Sequence, residues 1–318
     1  LGDLRRRTGK LAAAATPAAH CVMTPSGQAP VTAHTRFAAI RTRLEAFEPH
    51  PGAAAWAYEF LLFGFKQAWA CLFGALLLAL LVATHLFYPA DAAFARYDFL
   101  TCAALAIQIA MLALRLETLD EAKVILAFHL VGTVMELFKT AHGSWEYPEA
   151  SFLRIGDVPL FSGFMYAAVG SYIARVWRIF DFRFTGYPVE KISVALAVAI
   201  YVNFFAHHWL PDLRIPLFAA LGVLFLRTRI WFRVWREDRW MPLLLGWFLV
   251  ALFIWFAENL ATFSRAWVYP SQKHGWAMVH WGKLGAWYLL MYISFVLVAL
   301  VHRPRTRNEQ HAGSPLTL

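Results

Sequence analysis

Eight apolar stretches, at about residues 67–88, 98–115, 122–139, 158–177, 192–210, 213–227, 241–262 and 283–302, follow one another with only short breaks. A chain with so many uninterrupted apolar runs has few ways to fold. In lipid every backbone N–H and C=O must find a partner inside the protein, and a helix of about 20 residues crosses the hydrocarbon core. Most of the eight runs approach that length, and the sixth is the shortest. Of the 318 residues, 60% are hydrophobic and only 15% charged, where a soluble domain carries about 25% charged. The expected fold class is an all-α polytopic membrane protein with about eight transmembrane helices.

The basic residues give these spans a direction. One set of connections holds Arg36, Arg41, Arg43 and Lys66; Arg115 and Lys123; Arg175, Arg178, Arg183 and Lys191; Arg227, Arg229, Arg233, Arg236 and Arg239; and Arg303, Arg305 and Arg307. The alternate set holds Arg96, Lys139, Arg154, Arg214, Arg265, Lys273 and Lys283. Eight spans with both termini in the cytoplasm satisfy the positive-inside rule at every loop. The formal net charge of +9 therefore reads as orientation, and no nucleic-acid partner is expected. Cys21, Cys71 and Cys102 lack C-x-x-C spacing, so neither a disulfide framework nor a zinc site is expected.

One pattern occurs twice. Glu136-x3-Thr140-x4-Trp145-x-Tyr147-Pro148 returns as Glu258-x3-Thr262-x4-Trp267-x-Tyr269-Pro270, every pair 122 positions apart (136 to 258, 148 to 270). The same offset pairs His85 with His207 and Pro89 with Pro211. Polar and aromatic matches of this kind point to an internal duplication. Residues 1–50 read as an N-terminal extension, disordered over Leu1–Pro30 and amphipathic over Thr35–Phe47, and Met23 is a candidate start that would leave residues 1–22 outside the native protein. Residues 51–185 read as a first four-helix repeat, 186–304 as a second, and 305–318 as a disordered cytoplasmic tail. An even number of spans separates the copies, so the repeats are parallel, related by an axis along the membrane normal.

The repeated residues are those that lipid-embedded helices avoid. Ionisable groups inside a bilayer are costly and raise a functional hypothesis by default. His129, Thr133, Glu136 and Thr140 recur in steps of four, three and four, which puts them on one helix face. Glu136 and Glu258 are the candidate catalytic acid/base pair, with His129, His85 and His207 as orienting or proton-relaying groups. Trp145, Tyr147, Trp267, Tyr269, Asn203, Asn259 and His208 are the candidate substrate-binding residues. Each has a plainer reading. The glutamates can be polar glue between helices, and the aromatics can form an interfacial belt. Thr118 and Glu121 have capping-box spacing, which favours a helix start over catalysis there. Two Glu and two or three His would suit zinc or non-haem iron, but no H-x3-H or E-x2-H occurs on any helix. No cofactor or metal is expected.

The segment ELFKTAHGSWEYPEASFLRIGDVPLFSG (136–163), with FHLVGT (128–133), GSY (170–172) and AENLATF (257–263), resembles the YoaT-type family of bacterial membrane proteins, domain of unknown function 817. The resemblance covers about Tyr58 to Pro304. It implies the bacterial inner (cytoplasmic) membrane and no particular activity. A shorter stretch, Glu136, Gly143, Trp145, Tyr147 and Gly156-Asp157-Val158-Pro159-Leu160, is similar to membrane lycopene cyclases and carotenoid hydratases, which do acid-catalysed chemistry on isoprenoids. Those enzymes place carboxylates after the Pro-Leu, where this chain has Phe161-Ser162, so the similarity does not extend to cyclisation. The expected partners are membrane lipids and an apolar small-molecule substrate. The expected function is an outward-facing Glu/His pocket that binds or modifies a lipid or isoprenoid by acid/base chemistry. The alternatives are a small-molecule transporter, which needs polar groups across the whole bilayer, and a structural or assembly protein.

Overall fold

The computed structural model describes residues 42–43 and 46–306. The expected disorder of Leu1–Pro30 and the tail beyond 306 lie outside the described residues, as does most of the amphipathic segment Thr35–Phe47. The protein is mostly helical. Among the described residues there are nine α-helices: α1 (Ala53–Ala70), α2 (Leu72–Phe87), α3 (Arg96–Ala113), α4 (Leu119–Ala141), α5 (Phe161–Ile179), α6 (Glu190–Ala206), α7 (Arg214–Phe225), α8 (Leu243–Phe263) and α9 (Gly282–His302). Short strands join them: β1 (Arg154–Ile155) with β2 (Val158–Pro159), and β3 (Arg183–Thr185), β4 (Arg229–Arg233), β5 (Asp238–Pro242) and β6 (Arg305–Thr306) in a second sheet of order β5-β4-β3-β6.

Four helices, α3, α4, α8 and α9, are long and apolar enough to cross a membrane, and the pair α1–α2, bent by 67°, makes a fifth if it counts as one span. The other three fall short of that description for visible reasons. Helix α7 has 12 residues, about 18 Å at 1.5 Å per residue. Helix α6 has 17. Helix α5 has 19, but carries Arg175 and Arg178 in its final turns.

The bend was not expected from sequence, where the first span was placed at 67–88. It sits at Cys71, between α1 and α2. Helix α1 is held away from the line of α2 by polar ties to the β4–β5 hairpin: Glu59 pairs with Arg239 at 2.6 Å, and Lys66 Nζ donates to the Val234 carbonyl at 2.7 Å. Its Trp56, Phe60, Leu61 and Phe65 remain exposed.

Helices α4 and α5 pack closest, because glycines let the backbones approach. A Cβ on Gly132 would stand 2.6 Å from the Tyr166 ring, and one on Gly170 would stand 2.6 Å from Phe128. Helix α4 begins with the expected capping box, the Glu121 amide donating to Thr118 and the Thr118 amide to Glu121. Its buried side carries Ile125, Phe128 and Met135, while Leu126, Leu130 and Val134 are exposed. Such apolar exposure is what a lipid-facing side requires. Helix α9 runs through the core, with Leu289, Tyr292 and Val298 fully buried.

The two ends of the bundle differ. Segments 142–160 and 264–281 connect α4 to α5 and α8 to α9 at one end. The larger sheet lies at the other, where α5 and α9 finish, and it carries Arg183, Arg229, Arg233, Arg239 and Arg305. The sequence reading contained no strands, and Arg305–Thr306, placed there in the tail, form β6.

At each end a residue bonds to the one 122 positions later. Glu146 and Val268 exchange backbone hydrogen bonds of 3.0 and 2.9 Å. At the opposite end β3 pairs with β6 in parallel, Arg183 opposite Arg305 and Phe184 opposite Thr306. Shifted by the same offset, α4 would occupy 241–263 against the observed Leu243–Phe263, and α5 would occupy 283–301 against Gly282–His302.

Candidate functional site

Helices α4 and α8 end alike. Gly143 and Arg265 both take the left-handed conformation, at φ 68° and 54°. The Ser144 amide donates to Lys139 O and the Ala266 amide to Ala261 O, each at 3.0 Å. This is a Schellman turn, which satisfies the last helical carbonyls and sends the chain back over the helix end. The return brings the W-x-Y segment over the glutamate one to two turns earlier. Trp145 Nε1 donates to Glu136 Oε2 at 2.8 Å and Tyr147 OH to the same oxygen at 2.7 Å. Tyr166 OH, from α5, donates to Oε1 at 2.6 Å. Glu258 accepts from Tyr269 OH at 2.5 Å and from Trp287 Nε1, on α9, at 2.7 Å. Both glutamates are 3% exposed. Burying a carboxylate is expensive unless hydrogen bonds compensate, and these rings supply them.

The two turns are fastened across the halves. Arg96, at the start of α3, donates to the carbonyls of Ser264 and Arg265 at 3.0 and 3.1 Å and pairs with Glu149 at 2.7 Å. Tyr97 OH donates to Arg265 O at 2.9 Å, and Lys273 pairs with Glu146 at 2.7 Å.

Between the halves lies a cavity of about 810 Å³. Glu136, Trp145, Asn203, His207, Glu258, Trp267 and Tyr269 line it, so seven of the sequence-derived candidates come together. The rest of its wall is largely apolar, from Leu77, Leu78 and Leu81 of α2 to Ile254, Ala257 and Ala261 of α8. Tyr147 reaches the site only through Glu136.

Four candidates lie elsewhere. His85 packs edge-on to Phe263 at 5.6 Å. His129 packs edge-on to Phe164 at 4.9 Å, against Gly163. Asn259 spans α8 and the following segment, donating to Trp255 O and accepting from the Val279 amide, both at 2.8 Å. His208 lies beside His207 and His142, with ring centroids 4.3 and 4.7 Å away.

Other lining residues are not singled out by the sequence. Lys139, Tyr166, Arg214, Lys283 and Trp287 all face the cavity. The signal for Lys139 was present, since it follows Glu136 by three positions on one helix face. Tyr166 is the third donor to Glu136 and Trp287 the second to Glu258, but they sit one position out of the 122 register. Lys283 Nζ lies 4.2 Å from the centroid of Tyr269 and 5.5 Å from that of Trp145. Arg214 pairs with Asp212 at 2.5 Å, and that hydrogen bond holds the Asp212 carboxyl down at about 2. Asn203 fixes this loop, accepting from the Leu213 amide at 3.0 Å.

A second buried polar group lies toward the other end. Glu117 accepts from Ser171 at 2.6 Å and from Gln108 at 2.5 Å, with the fully buried Arg175 at 4.0 Å. Among the described residues, no group of three or more His, Cys, Asp or Glu is placed to hold a metal ion.

A family model described as Protein of unknown function (DUF817) matches residues 59–295. The chain is also 42% identical over 254 residues to Uncharacterized protein YoaT of Bacillus subtilis (strain 168), covering 79% of this chain and 94% of that one. No solved structure matches, and the local similarity to carotenoid cyclases gains no support from these comparisons. On the family match and the relative together, the chain belongs to the DUF817 family.

Proposed function

We propose that the protein is an eight-span protein of the bacterial inner membrane, built of two parallel four-helix repeats with both termini cytoplasmic. In this reading, its cavity opens on the non-cytoplasmic side and binds or modifies a lipid or isoprenoid by acid/base chemistry. The observation that carries the reading is that two buried glutamates line one largely apolar cavity of about 810 Å³. That volume is within the roughly 300–1,000 Å³ of small-molecule sites. An apolar surround and two carboxyl groups are what proton transfer to an apolar substrate needs: one group gives the proton and the other takes it back.

The repeat is supported by the shifted helix boundaries, the paired left-handed turns and the self-matching backbone contacts at both ends. The orientation is supported by the arginines gathered at the sheet end. His207, which lines the cavity, relays protons in this reading, while His85 and His129 act only through their neighbours. Trp145, Trp267 and Tyr269 contact the substrate as well as shaping the site.

The test pairs Glu136→Gln and Glu258→Gln with native mass spectrometry of lipid that co-purifies with the wild type. Both variants should express, fold and lose that ligand or its turnover. Equal loss of expression in both would assign the carboxylates to holding helices together and refute the catalytic reading.

A further inference from the structure

The cavity's carboxylates are duplicated, but its cations are not. The positions 122 residues from Lys139 and Lys283 are Ala261 and Phe161. The positive charge of this site is therefore asymmetric where its carboxylates are not. Lys139 is 6% exposed and lines the cavity, with Nζ 3.2 Å from His208 Nε2. Lys283 lines it from the first turn of α9, its ammonium over the Tyr269 and Trp145 rings.

Charge counting alone does not identify a ligand, because two carboxylates share the cavity. Hydrogen-bond saturation does. Glu136 and Glu258 are already served by five neutral donors from Tyr and Trp. Neither lysine, among the described residues, has a carboxylate within 4.0 Å. The third cation, Arg214, is engaged by Asp212. Glu258 acts on Lys283 and Asp212 on Lys139 only at longer range, and each ammonium has three N–H groups to give, so a closer anion is favourable. Beyond this polar end the wall is Leu77, Leu78, Leu81, Phe253, Ile254 and Leu290.

Resting on the reading of the cavity as a lipid or isoprenoid site, we propose that its ligand is an amphiphile with a phosphate or carboxylate head. The head lodges at Lys139 and Lys283, and one apolar chain lies along α2 and α8. Arg214 stands at the same end as a reserve cation, released if the ligand competes with Asp212.

The experiment measures equilibrium binding to the full chain in nanodiscs of zwitterionic lipid, with empty discs subtracted. The probes are dodecyl phosphate, dodecanoate, dodecanol, dodecyltrimethylammonium and inorganic phosphate. The two anionic chains should bind about tenfold or more tightly than dodecanol, the worth of one charge-assisted hydrogen bond. Lys139→Met with Lys283→Met should erase that preference, bringing both anionic chains to the level of dodecanol. Methionine keeps the apolar stem and removes a buried charge, a change that folds tolerate. Lys139→Arg, which keeps the charge, should retain the preference.

Dodecanol or dodecyltrimethylammonium binding as tightly as dodecyl phosphate would overturn the anionic head while leaving the lipid cavity standing. So would a preference that survives in the double variant. Inorganic phosphate binding as tightly as dodecyl phosphate would overturn the chain, making the ligand a free anion. Saturable binding by none of the chain-bearing probes would bring down both this proposal and the cavity reading beneath it.

Discussion

Glu136 and Glu258 stand at matched positions in the two halves, each at the end of a long helix with a tyrosine eleven residues later that bonds to it. Their surroundings are not copies. Glu136 has three donors, two from its own loop and one from α5, whereas Glu258 has two, one from its loop and one from α9. Trp145 bonds to its glutamate. Trp267, its counterpart, packs with Leu81, Tyr97 and Phe161, and Trp287 supplies the indole instead. The common requirement is a buried carboxylate saturated by ring donors, and the backbone turn that delivers them is kept. Which ring answers is free to change.

The largest effects should come from removing the carboxylates. Glu136→Ala strands three buried donors and Glu258→Ala two. At about 1–3 kcal/mol for each stranded neutral donor, both should destabilise, Glu136→Ala more, read as thermal unfolding in detergent. The glutamine variants should stay within about 1 kcal/mol of wild type, since the amide oxygen still accepts and its NH2 can donate to a tyrosine oxygen. Equal losses for the two alanines would mean that the third donor contributes nothing.

A smaller effect separates the halves by packing. Gly132 abuts Tyr166, while position 254, its counterpart, is Ile254 on the cavity wall. Gly132→Ala should cost about 1–3 kcal/mol through overpacking and disturb only the Glu136 side. Hydrogen exchange at Trp145 and Tyr147, compared with Trp267 and Tyr269, checks this. A disturbance spread over both would deny that the sites are independently built. The smallest expected change is in the turns. Arg265→Gly should stabilise by about 1 kcal/mol by relieving a left-handed residue, and Gly143→Ala should destabilise by a similar amount. Two neutral results in the same unfolding assay would show that the left-handed conformation strains neither turn.

Much of this was legible in the sequence because it repeats over long distances or follows helical period. The apolar runs predicted helices whose ends the structure moves by a few residues, and the spacing of Thr118 and Glu121 predicted a cap. The pairing of Glu136 with Glu258 came from the offset alone. What was lost is instructive. The strands are two to five residues long inside arginine-rich connections, too short to show alternation. Helix α1 was merged into a loop because Glu59 and Lys66 interrupt it, and those residues are the ones that anchor it. His129 and Glu136 both meet α5, at Gly163 and Tyr166. Periodicity does not say which neighbour covers a face, and there it is α5, brought close by Gly163. Tyr166 and Trp287 were missed because the offset compares positions, while a hydrogen bond needs only a ring within reach.

The pairing of β3 with β6 has a consequence in time. Residues 183–185 are made early, and their free backbone edge waits for residues 305–306, which are among the last described residues to be synthesised. An antiparallel partner, β4, arrives sooner on the other side. Until α9 has been inserted, the basic end of the bundle carries an open strand edge, the kind of edge that invites a wrong neighbour. Contacts so far apart in sequence form late. Strand β6 therefore closes the sheet, and a chain cut just before residue 305 leaves a bundle with its helices in place and its sheet unclosed.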